Sequence, residues 1–184
     1  MYVFLIPLMA GFIFHSASAF TAVYSQRWGE ARGRFLTIAL RDLLGIPAWL
    51  LGFVLAARME APRFLPPSGA QNLLAWILVA VGSSIILGAI ASLRWRAMAP
   101  SMADTLVERG PFAYVRHPIH VGTFLQFVAI ILLRPTLPVA TACILGTTWL
   151  AVQTRLEEKD LVVRLPDYAN YARRVPRFFP RLRM

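Results

Sequence analysis

Two short polar segments of this chain carry the side chains that could bind a charged ligand or move a proton. The first spans residues 110–122, and its basic side chains are Arg116, His117 and His120. Pro118 is typical of the first turn of a helix, where free backbone N–H groups favour an anionic group. Arg116 and His117 would add donors there, and Gly122 would admit another backbone or a ligand. The segment therefore suits a carboxylate or phosphate, with lipid headgroups at Arg116 as the alternative.

The second polar segment spans residues 157–180 and opens on two adjacent carboxylates, Glu157 and Glu158. Two carboxylates near a membrane interface attract cations, including ammonium and sulfonium groups. Because basic residues flank the pair, a solvated helix face is the alternative. Further along the segment, Arg173 and Arg174 could bind an acidic group of a substrate or simply phospholipid.

A metal site is not expected from these residues. The three histidines are scattered, and only His117 and His120 are close in sequence, three positions apart. Cys143 is the only cysteine, which excludes a disulfide scaffold and a zinc site built on cysteines. His15 lies alone among apolar residues, and we expect it to make contacts between helices.

The composition shows what kind of structure must position these segments. Hydrophobic residues make up 58% of the chain and charged residues 15%, against about 45–50% and 25% in soluble domains. These values indicate a membrane protein. The formal net charge of +10 then reflects topology signals and attraction to anionic lipid rather than nucleic-acid binding.

Five apolar stretches are candidates for membrane crossing, which takes about 20 residues. They are Met1–Tyr24, Phe35–Ala57, Leu73–Leu93, Ile119–Leu133 and Thr136–Val152. Pro135 separates the last two, so residues 119–152 are predicted to form a helical hairpin whose arms lengthen past their cytoplasmic ends. A hairpin returns both arms to one face of the membrane and so brings the two polar segments together. The predicted fold is all-α, a single polytopic membrane domain of residues 1–184 with about five transmembrane helices.

The distribution of arginine and lysine predicts the orientation of this domain. Sixteen of the 19 basic residues lie in the first and third loops and in the tail after Val152, and such residues stay on the cytoplasmic side. We therefore expect an integral protein of a bacterial or archaeal inner membrane. Its N-terminus would lie outside, and its C-terminus and both polar segments would lie in the cytoplasm.

The two polar segments resemble those of the integral-membrane methyltransferases of the isoprenylcysteine carboxyl methyltransferase and phospholipid methyltransferase type. The shared pattern is approximately G-P-[YF]-x-x-[VI]-R-H-P-x-Y-x-G, a helical hairpin, E-E-x-x-L, and Y-x-x-Y-x-x-x-V-P-x-x-x-P. The matching residues are Gly110, Pro111, Phe112, Val115, Arg116, His117, Pro118, Gly122, Glu157, Glu158, Leu161, Tyr168, Tyr171, Val175, Pro176 and Pro180. The match covers the C-terminal part of the chain, and His120 stands where the family usually has tyrosine.

The resemblance implies a methyltransferase that takes its methyl group from S-adenosylmethionine and acts on a lipophilic or membrane-associated acceptor. Such an acceptor could be an isoprenylcysteine-like carboxylate, a lipid amine or a thiol. The residues that the resemblance assigns to the cofactor pocket are Tyr114, Arg116, His117, Pro118, His120, Gly122, Glu157 and Glu158. Those that it assigns to catalysis and the acceptor are Arg173, Arg174 and Glu157. The catalytic part would be residues 96–184, and residues 1–95 would supply the first three transmembrane helices.

Two other functions stay open at this point. NADPH-dependent sterol reductases have a similar R-H-P segment and a similar C-terminal end, but Glu157 and Glu158 would repel the 2′-phosphate of that nucleotide. A non-catalytic membrane accessory protein could keep the fold without the activity. The retention of Arg116 and His117 together with both glutamates favours an enzyme.

Overall fold

The computed structural model describes residues 2–94 and 100–180 and is built from α-helices. The helices are α1 (Leu5–Ala17), α2 (Thr21–Trp28), α3 (Glu30–Ile38), α4 (Ile46–Arg58), α5 (Gly69–Leu93), α6 (Pro118–Leu133), α7 (Leu137–Arg164) and α8 (Tyr168–Arg174). Within the described residues, strand-like pairing is limited to one bridge between Arg63 and Thr136. The predicted all-α fold is confirmed. The predicted boundary at residues 95 and 96 lies outside the described residues, as do the basic residues Arg96, Arg181 and Arg183.

Three helices are long and apolar enough to cross a membrane: the continuous helix Glu30–Arg58, α5 and α7. In the first of these, a π-helical turn at Ala39–Gly45 joins α3 to α4 just before Pro47. A proline inside a helix clashes with the carbonyl four residues earlier, and the wider π turn relieves that clash. The turn contains Arg41 and Asp42, the two charged residues of the predicted apolar stretch Phe35–Ala57, and Arg41 Nε donates to Asp42 Oδ1 at 2.8 Å.

The first predicted span, Met1–Tyr24, is divided, because α1 and α2 meet at an angle of 60°. At the break, the hydroxyl of Ser18 donates to the carbonyl of His15 at 2.6 Å and so competes with the helical ladder. The new helix start is capped from α7, where Asp160 Oδ1 accepts the N–H of Ala22 at 2.7 Å. By length and composition, the described residues contain three crossings, or four if the bent pair counts as one, against the five predicted.

The predicted hairpin is present as α6 and α7. Helix α6 has 16 residues, fewer than the roughly 20 that a crossing takes, whereas α7 has 28 and continues to Arg164. The C-terminal arm therefore lengthens past its apolar run, as expected. At the tip, the carbonyl of Pro135 accepts the N–H of Phe64 at 2.9 Å, so the loop after α4 lies beside the hairpin tip. Both polar segments lie at the other end of α6 and α7.

Close backbone contact joins α5 to the hairpin. A Cβ added at Gly122 would lie 2.5 Å from the carbonyl oxygen of Gly82, and a Cβ at Gly82 would lie 2.7 Å from that of Gly122. Because real Cβ atoms do not approach an oxygen so closely, both positions need glycine. Packing of another backbone is one of the two roles that the sequence left open for Gly122.

Aromatic contacts join α1 and α4 to α7. The rings of Phe12 and Trp149 stack with their centroids 4.6 Å apart. His15 packs edge-on against Trp149 at 5.0 Å, and its Nδ1 accepts the indole N–H of Trp49 at 3.3 Å. The expected helix contacts of His15 are therefore confirmed. This packing fixes the middle of α7, and the helix then continues into the second polar segment.

Candidate active site

The turn that starts α6 lies along the segment that follows α8. The backbone N–H groups of Arg116 and His117 donate to the carbonyls of Pro176 and Arg177 at 2.9 and 3.2 Å. Pro118 then begins α6, because its missing N–H is not needed in a first helical turn. The C-terminal tail is thereby held against the histidine-bearing turn. The two polar segments therefore meet, as the hairpin predicted.

Glu158 projects from α7 into a group of cations. Its Oε1 accepts the Nε–H of Arg116 at 2.9 Å and lies 3.2 Å from Nε2 of His117. Its Oε2 accepts the Nε–H of Arg177 at 2.9 Å. The side chains of Arg116 and Glu158 are only 11% and 13% exposed. Low exposure strengthens such an ion pair and makes the loss of either partner costly.

Arg116 also holds the backbone of the C-terminal segment. Its Nη1 donates to the carbonyls of Ala172 and Val175, at 2.5 and 2.7 Å. Since its Nη2 lies 2.8 Å from Glu158, all three guanidinium nitrogens have protein partners. We call the side chains of Arg116, Glu158 and Arg177 the Glu158 clamp. The clamp ties α7, the turn before α6 and the tail into one unit.

Glu157, the preceding residue, faces two imidazoles instead. Its Oε2 lies 3.6 Å from Nδ1 of His117, and its Oε1 lies 3.7 Å from Nε2 of His120. One turn earlier on α7, Gln153 donates from Nε2 to Oε1 of Glu157 at 2.9 Å. The two imidazole rings stack with their centroids 5.3 Å apart and an interplanar angle of 11°. We call the side chains of Glu157, His117, His120 and Gln153 the Glu157 cluster.

Two buried polar atoms near this cluster have no hydrogen-bond partner among the described residues. They are Oε1 of Gln153 and the hydroxyl of Tyr168, a residue that is only 3% exposed. A buried polar group without a partner costs about 1–3 kcal/mol. A ligand that offers a donor to the amide oxygen and an acceptor to the hydroxyl would satisfy both.

Burial and nearby charges shift the pKa values of His117, Tyr168 and Tyr171, which lie outside the helices of the hairpin. Burial alone would lower the pKa of His117, but the carboxylates of Glu157 and Glu158 outweigh it and raise that pKa above its usual value. Burial, aided by the charge of Glu158, raises the pKa of Tyr168. Burial likewise raises the pKa of Tyr171 to about 12, and its hydroxyl donates to the carbonyl of Phe112 at 2.7 Å. Both tyrosines are neutral hydroxyl donors at physiological pH.

Three residues assigned by resemblance are exposed side chains, Tyr114, Arg173 and Arg174. Tyr114 is 67% exposed. The exposed side chain of Arg173 binds Asn170, and Arg174 pairs with Glu108 at 2.8 Å. The assignment of the two arginines to the acceptor therefore depends on the resemblance alone.

Sequence reasoning missed three residues of the site. Gln153 and Thr154 precede Glu157 by four and three positions, so they share its face of the helix, and that spacing was the available signal. Thr154 is buried, and its hydroxyl lies 2.8 Å from Nδ1 of His120. Arg177 follows Pro176 directly, but its reach to Glu158 depends on the path of the tail, which no spacing predicts.

Comparison with known proteins shows that part of the chain is similar to methyltransferases and to metal-resistance proteins. The model of the phospholipid methyltransferase family matches residues 70–165. The cobalt-zinc-cadmium resistance protein CzcN of Cupriavidus metallidurans is 35% identical over 80 residues, 43% of this chain and 37% of that protein. The nickel-cobalt-cadmium resistance protein NccN of Alcaligenes xylosoxydans xylosoxydans is 31% identical over 113 residues, 58% of this chain and 53% of that protein.

A methyltransferase is also similar to part of the chain. The methanethiol S-methyltransferase of Crocosphaera subtropica is 40% identical over 72 residues, 38% of this chain and 27% of that enzyme. The chain thus spans between 27% and 53% of the length of these curated relatives. No solved structure matches it. Because the family model covers more than half of the chain, from α5 to the end of α7, the protein belongs to the phospholipid methyltransferase family.

Proposed function

We propose that this protein is an S-adenosylmethionine-dependent methyltransferase of a prokaryotic inner membrane that acts on a lipophilic or membrane-associated acceptor. The observation that carries the proposal is the convergence of Glu157, His117 and His120 where α6 begins and α7 ends. Membership of the family supports the reaction class. The charge distribution supports a site at the cytoplasmic face, with the N-terminus outside.

The Glu157 cluster fits the chemistry of S-adenosylmethionine, which carries a sulfonium, an ammonium and a carboxylate. Glu157 offers an anionic partner for either cationic group. The buried hydroxyl of Tyr168 and the amide oxygen of Gln153 offer an unpaired donor and an unpaired acceptor. The residues that we propose to line the cofactor pocket are therefore Gln153 and Tyr168, with Arg116, His117, Pro118, His120, Glu157 and Glu158 from the resemblance. The resemblance also assigns Tyr114 and Gly122 to the pocket, but Tyr114 is exposed and Gly122 packs against α5. Within this set, the clamp residues Arg116 and Glu158 position the others.

The bound cofactor would supply a methyl group that its sulfonium charge already activates, so the protein has mainly to orient the reactants and exclude water. His117 and Tyr168 are 6% and 3% exposed and line the buried side of the cluster, whereas the side chain of Glu157 is 30% exposed, so a bound ligand would have to complete the exclusion of water. A carboxylate or thiolate acceptor needs no base. For an amine or thiol, Nε2 of His120 is the atom that we propose to hold the released proton, because Thr154 engages its Nδ1.

A thiol is the acceptor that we propose to test first, because a methanethiol S-methyltransferase is 40% identical in the matched region. A lipid amine and an isoprenylcysteine-like carboxylate are the other two candidates. Arg173 and Arg174 would approach the acceptor from the aqueous side, which their exposure permits. A lipophilic acceptor could enter sideways between helices with its reactive group at the interface.

The test is transfer of tritium from labelled S-adenosylmethionine, with protein purified in detergent and native lipid. We expect label to enter one fraction among small thiols, lipids and peptides. Calorimetry should show that Glu157→Gln weakens cofactor binding by roughly tenfold or more. The matched control is Glu60→Gln, the same change at an exposed residue of the loop after α4. Binding of NADPH without S-adenosylmethionine would favour a reductase, and binding of neither would favour an accessory protein.

A further inference from the structure

The hydrogen bonds around His120 determine which of its ring nitrogens faces Glu157 with a lone pair. Thr154 has one hydroxyl proton, which it donates to the carbonyl of Leu150 at 2.8 Å. Nδ1 of His120 lies 2.8 Å from the same hydroxyl oxygen and must therefore be the donor in that contact. A neutral imidazole carries a proton on one nitrogen only. Nε2 of His120 therefore presents a lone pair to Oε1 of Glu157, 3.7 Å away.

In His117, too, one ring nitrogen contacts an oxygen acceptor while the other faces Glu157. Its Nε2 lies 3.2 Å from Oε1 of Glu158, which as a carboxylate oxygen can only accept. When a metal ion replaces the second proton of the ring, the remaining proton is on Nε2, and Nδ1 presents its lone pair toward Oε2 of Glu157, 3.6 Å away. Distances of 3.6 and 3.7 Å are too long for direct hydrogen bonds and leave space between the carboxylate and the two ring nitrogens.

We propose that Nδ1 of His117, Nε2 of His120 and the carboxylate of Glu157 bind one divalent transition-metal ion, with Zn²⁺ as the best match. Two imidazoles and a carboxylate are a donor set that zinc prefers. One ligand atom from each of the three residues lies within 4.8 Å of the other two, and ligands of one Zn²⁺ are roughly 3.3 Å apart at its usual bond lengths. Side-chain shifts of about 1 Å or less therefore complete the site.

The ring nitrogens that face away from Glu157, Nε2 of His117 and Nδ1 of His120, support the proposed metal site. Metal-binding histidines almost always donate their other N–H to a carboxylate or another oxygen, which fixes the ring and its tautomer. Here Glu158 has that role for His117, and Thr154 has it for His120. Three protein ligands would leave a fourth position for water or another ligand. A metal site was not expected from the sequence, because the third ligand, Glu157, comes from the other arm of the hairpin.

The inference goes beyond methyl transfer. A metal ion would occupy Nε2 of His120 and the carboxylate of Glu157, the groups that the proposed function gives to the proton and to the cofactor. Metal and cofactor would therefore compete for the Glu157 cluster, and the test uses the full chain without cofactor. Protein purified in detergent and treated with chelator is titrated with Co²⁺, whose visible ligand-field bands report coordination, and the Co²⁺ is then displaced with Zn²⁺. We expect one equivalent to bind to the unmodified protein and to the control His15→Gln. We expect at least a 100-fold loss of affinity in His120→Gln. Zn²⁺ should also raise the Tm of the first two proteins but not of the third.

Thr154→Val provides a second variant that keeps all three ligands. Loss of such a supporting contact typically costs 10–100-fold in metal affinity, so we expect a decrease in that range. Absence of Co²⁺ bands in the unmodified protein would overturn the proposal. Equal affinity in His120→Gln and the unmodified protein would do the same. If His120→Gln does not fold, equal affinity of Thr154→Val and the unmodified protein contradicts the proposed site.

Discussion

Glu157 and Glu158 are neighbours on one helix, yet the Glu158 clamp and the Glu157 cluster are built on opposite principles. Glu158 accepts hydrogen bonds from two arginines, and its charge is more than balanced. Glu157 instead meets two imidazoles and one amide. Atoms of the clamp have partners within the protein, whereas two buried atoms near the cluster have none among the described residues.

The difference follows from helix geometry. Consecutive residues of an α-helix point about 100° apart, so two adjacent carboxylates on α7 reach two different neighbours. Glu158 reaches the tail and the turn before α6, and Glu157 reaches the first turn of α6. One glutamate thus stabilises the assembled segments while the other stays available to a ligand. Substitutions in the two regions should therefore have different effects.

The largest effect is expected from Arg116→Ala in the clamp. The substitution leaves the buried carboxylate of Glu158 with one arginine fewer and frees two carbonyls of the C-terminal segment. Removal of one partner of a buried ion pair costs about 3–5 kcal/mol. A large decrease in Tm and faster proteolysis of the tail are the expected readouts. Arg116→Lys keeps the charge but loses the planar guanidinium fork. Its Tm should therefore lie between those of Arg116→Ala and the unmodified protein. An unchanged Tm of Arg116→Ala would show that the clamp does not stabilise the fold.

A paired substitution sharpens the contrast between the glutamates. Glu157→Gln should weaken binding of S-adenosylmethionine by about 2 kcal/mol, because a charged partner is lost, with little change in Tm. Glu158→Gln should lower Tm more than Glu157→Gln does and lower the affinity of the folded fraction less. Calorimetry and thermal unfolding of both variants measure the two quantities. Equal effects of both variants on both quantities would remove the distinction.

Gly122→Ala tests whether this residue serves packing rather than the cluster. The new Cβ would lie 2.5 Å from the carbonyl oxygen of Gly82, a backbone atom that cannot move aside freely. Overpacking of this kind costs at least about 1 kcal/mol. We expect a lower Tm with cofactor affinity of the folded protein retained. An unchanged Tm with a loss of affinity would instead place a ligand against Gly122.

The smallest stability effect is expected from Arg174→Ala. Arg174 pairs with Glu108 at an exposed site, and exposed pairs contribute at most about 1 kcal/mol. Tm should therefore stay nearly constant. If Arg174 contacts the acceptor, KM for the acceptor should rise while cofactor affinity stays the same. A decrease in Tm comparable to that of Arg116→Ala would extend the clamp to this residue.

The hairpin, and the meeting of the two polar segments that follows from it, could be predicted from the sequence because both depend on local signals. Pro135 marks the break between two apolar runs, and a hairpin must bring its two ends to one face. Pro166 is a local signal for the end of α7, which ends at Arg164. These signals place Glu157 and Glu158 near His117 without any tertiary information.

Other features could not be predicted because distant residues determine them. The bend between α1 and α2 is capped by Asp160, more than 130 positions away. The roles of Arg177 and of the two imidazoles depend on the path of the tail and on side-chain rotamers. The π-helical turn before Pro47 could not be distinguished in sequence from an ordinary helix that contains a proline. Sequence spacing shows which residues are neighbours on one helix. It does not show which atoms face each other between two different helices.

The most direct test of the account is an experimental structure of the protein with bound S-adenosylhomocysteine, the demethylated product of the proposed cofactor. We predict that the ligand lies within hydrogen-bond distance of the Glu157 carboxylate and the Tyr168 hydroxyl, with Glu158 still bound to Arg116 and Arg177. A ligand bound away from Glu157, or one that displaces Arg116 from Glu158, would contradict the division between a structural and a binding glutamate.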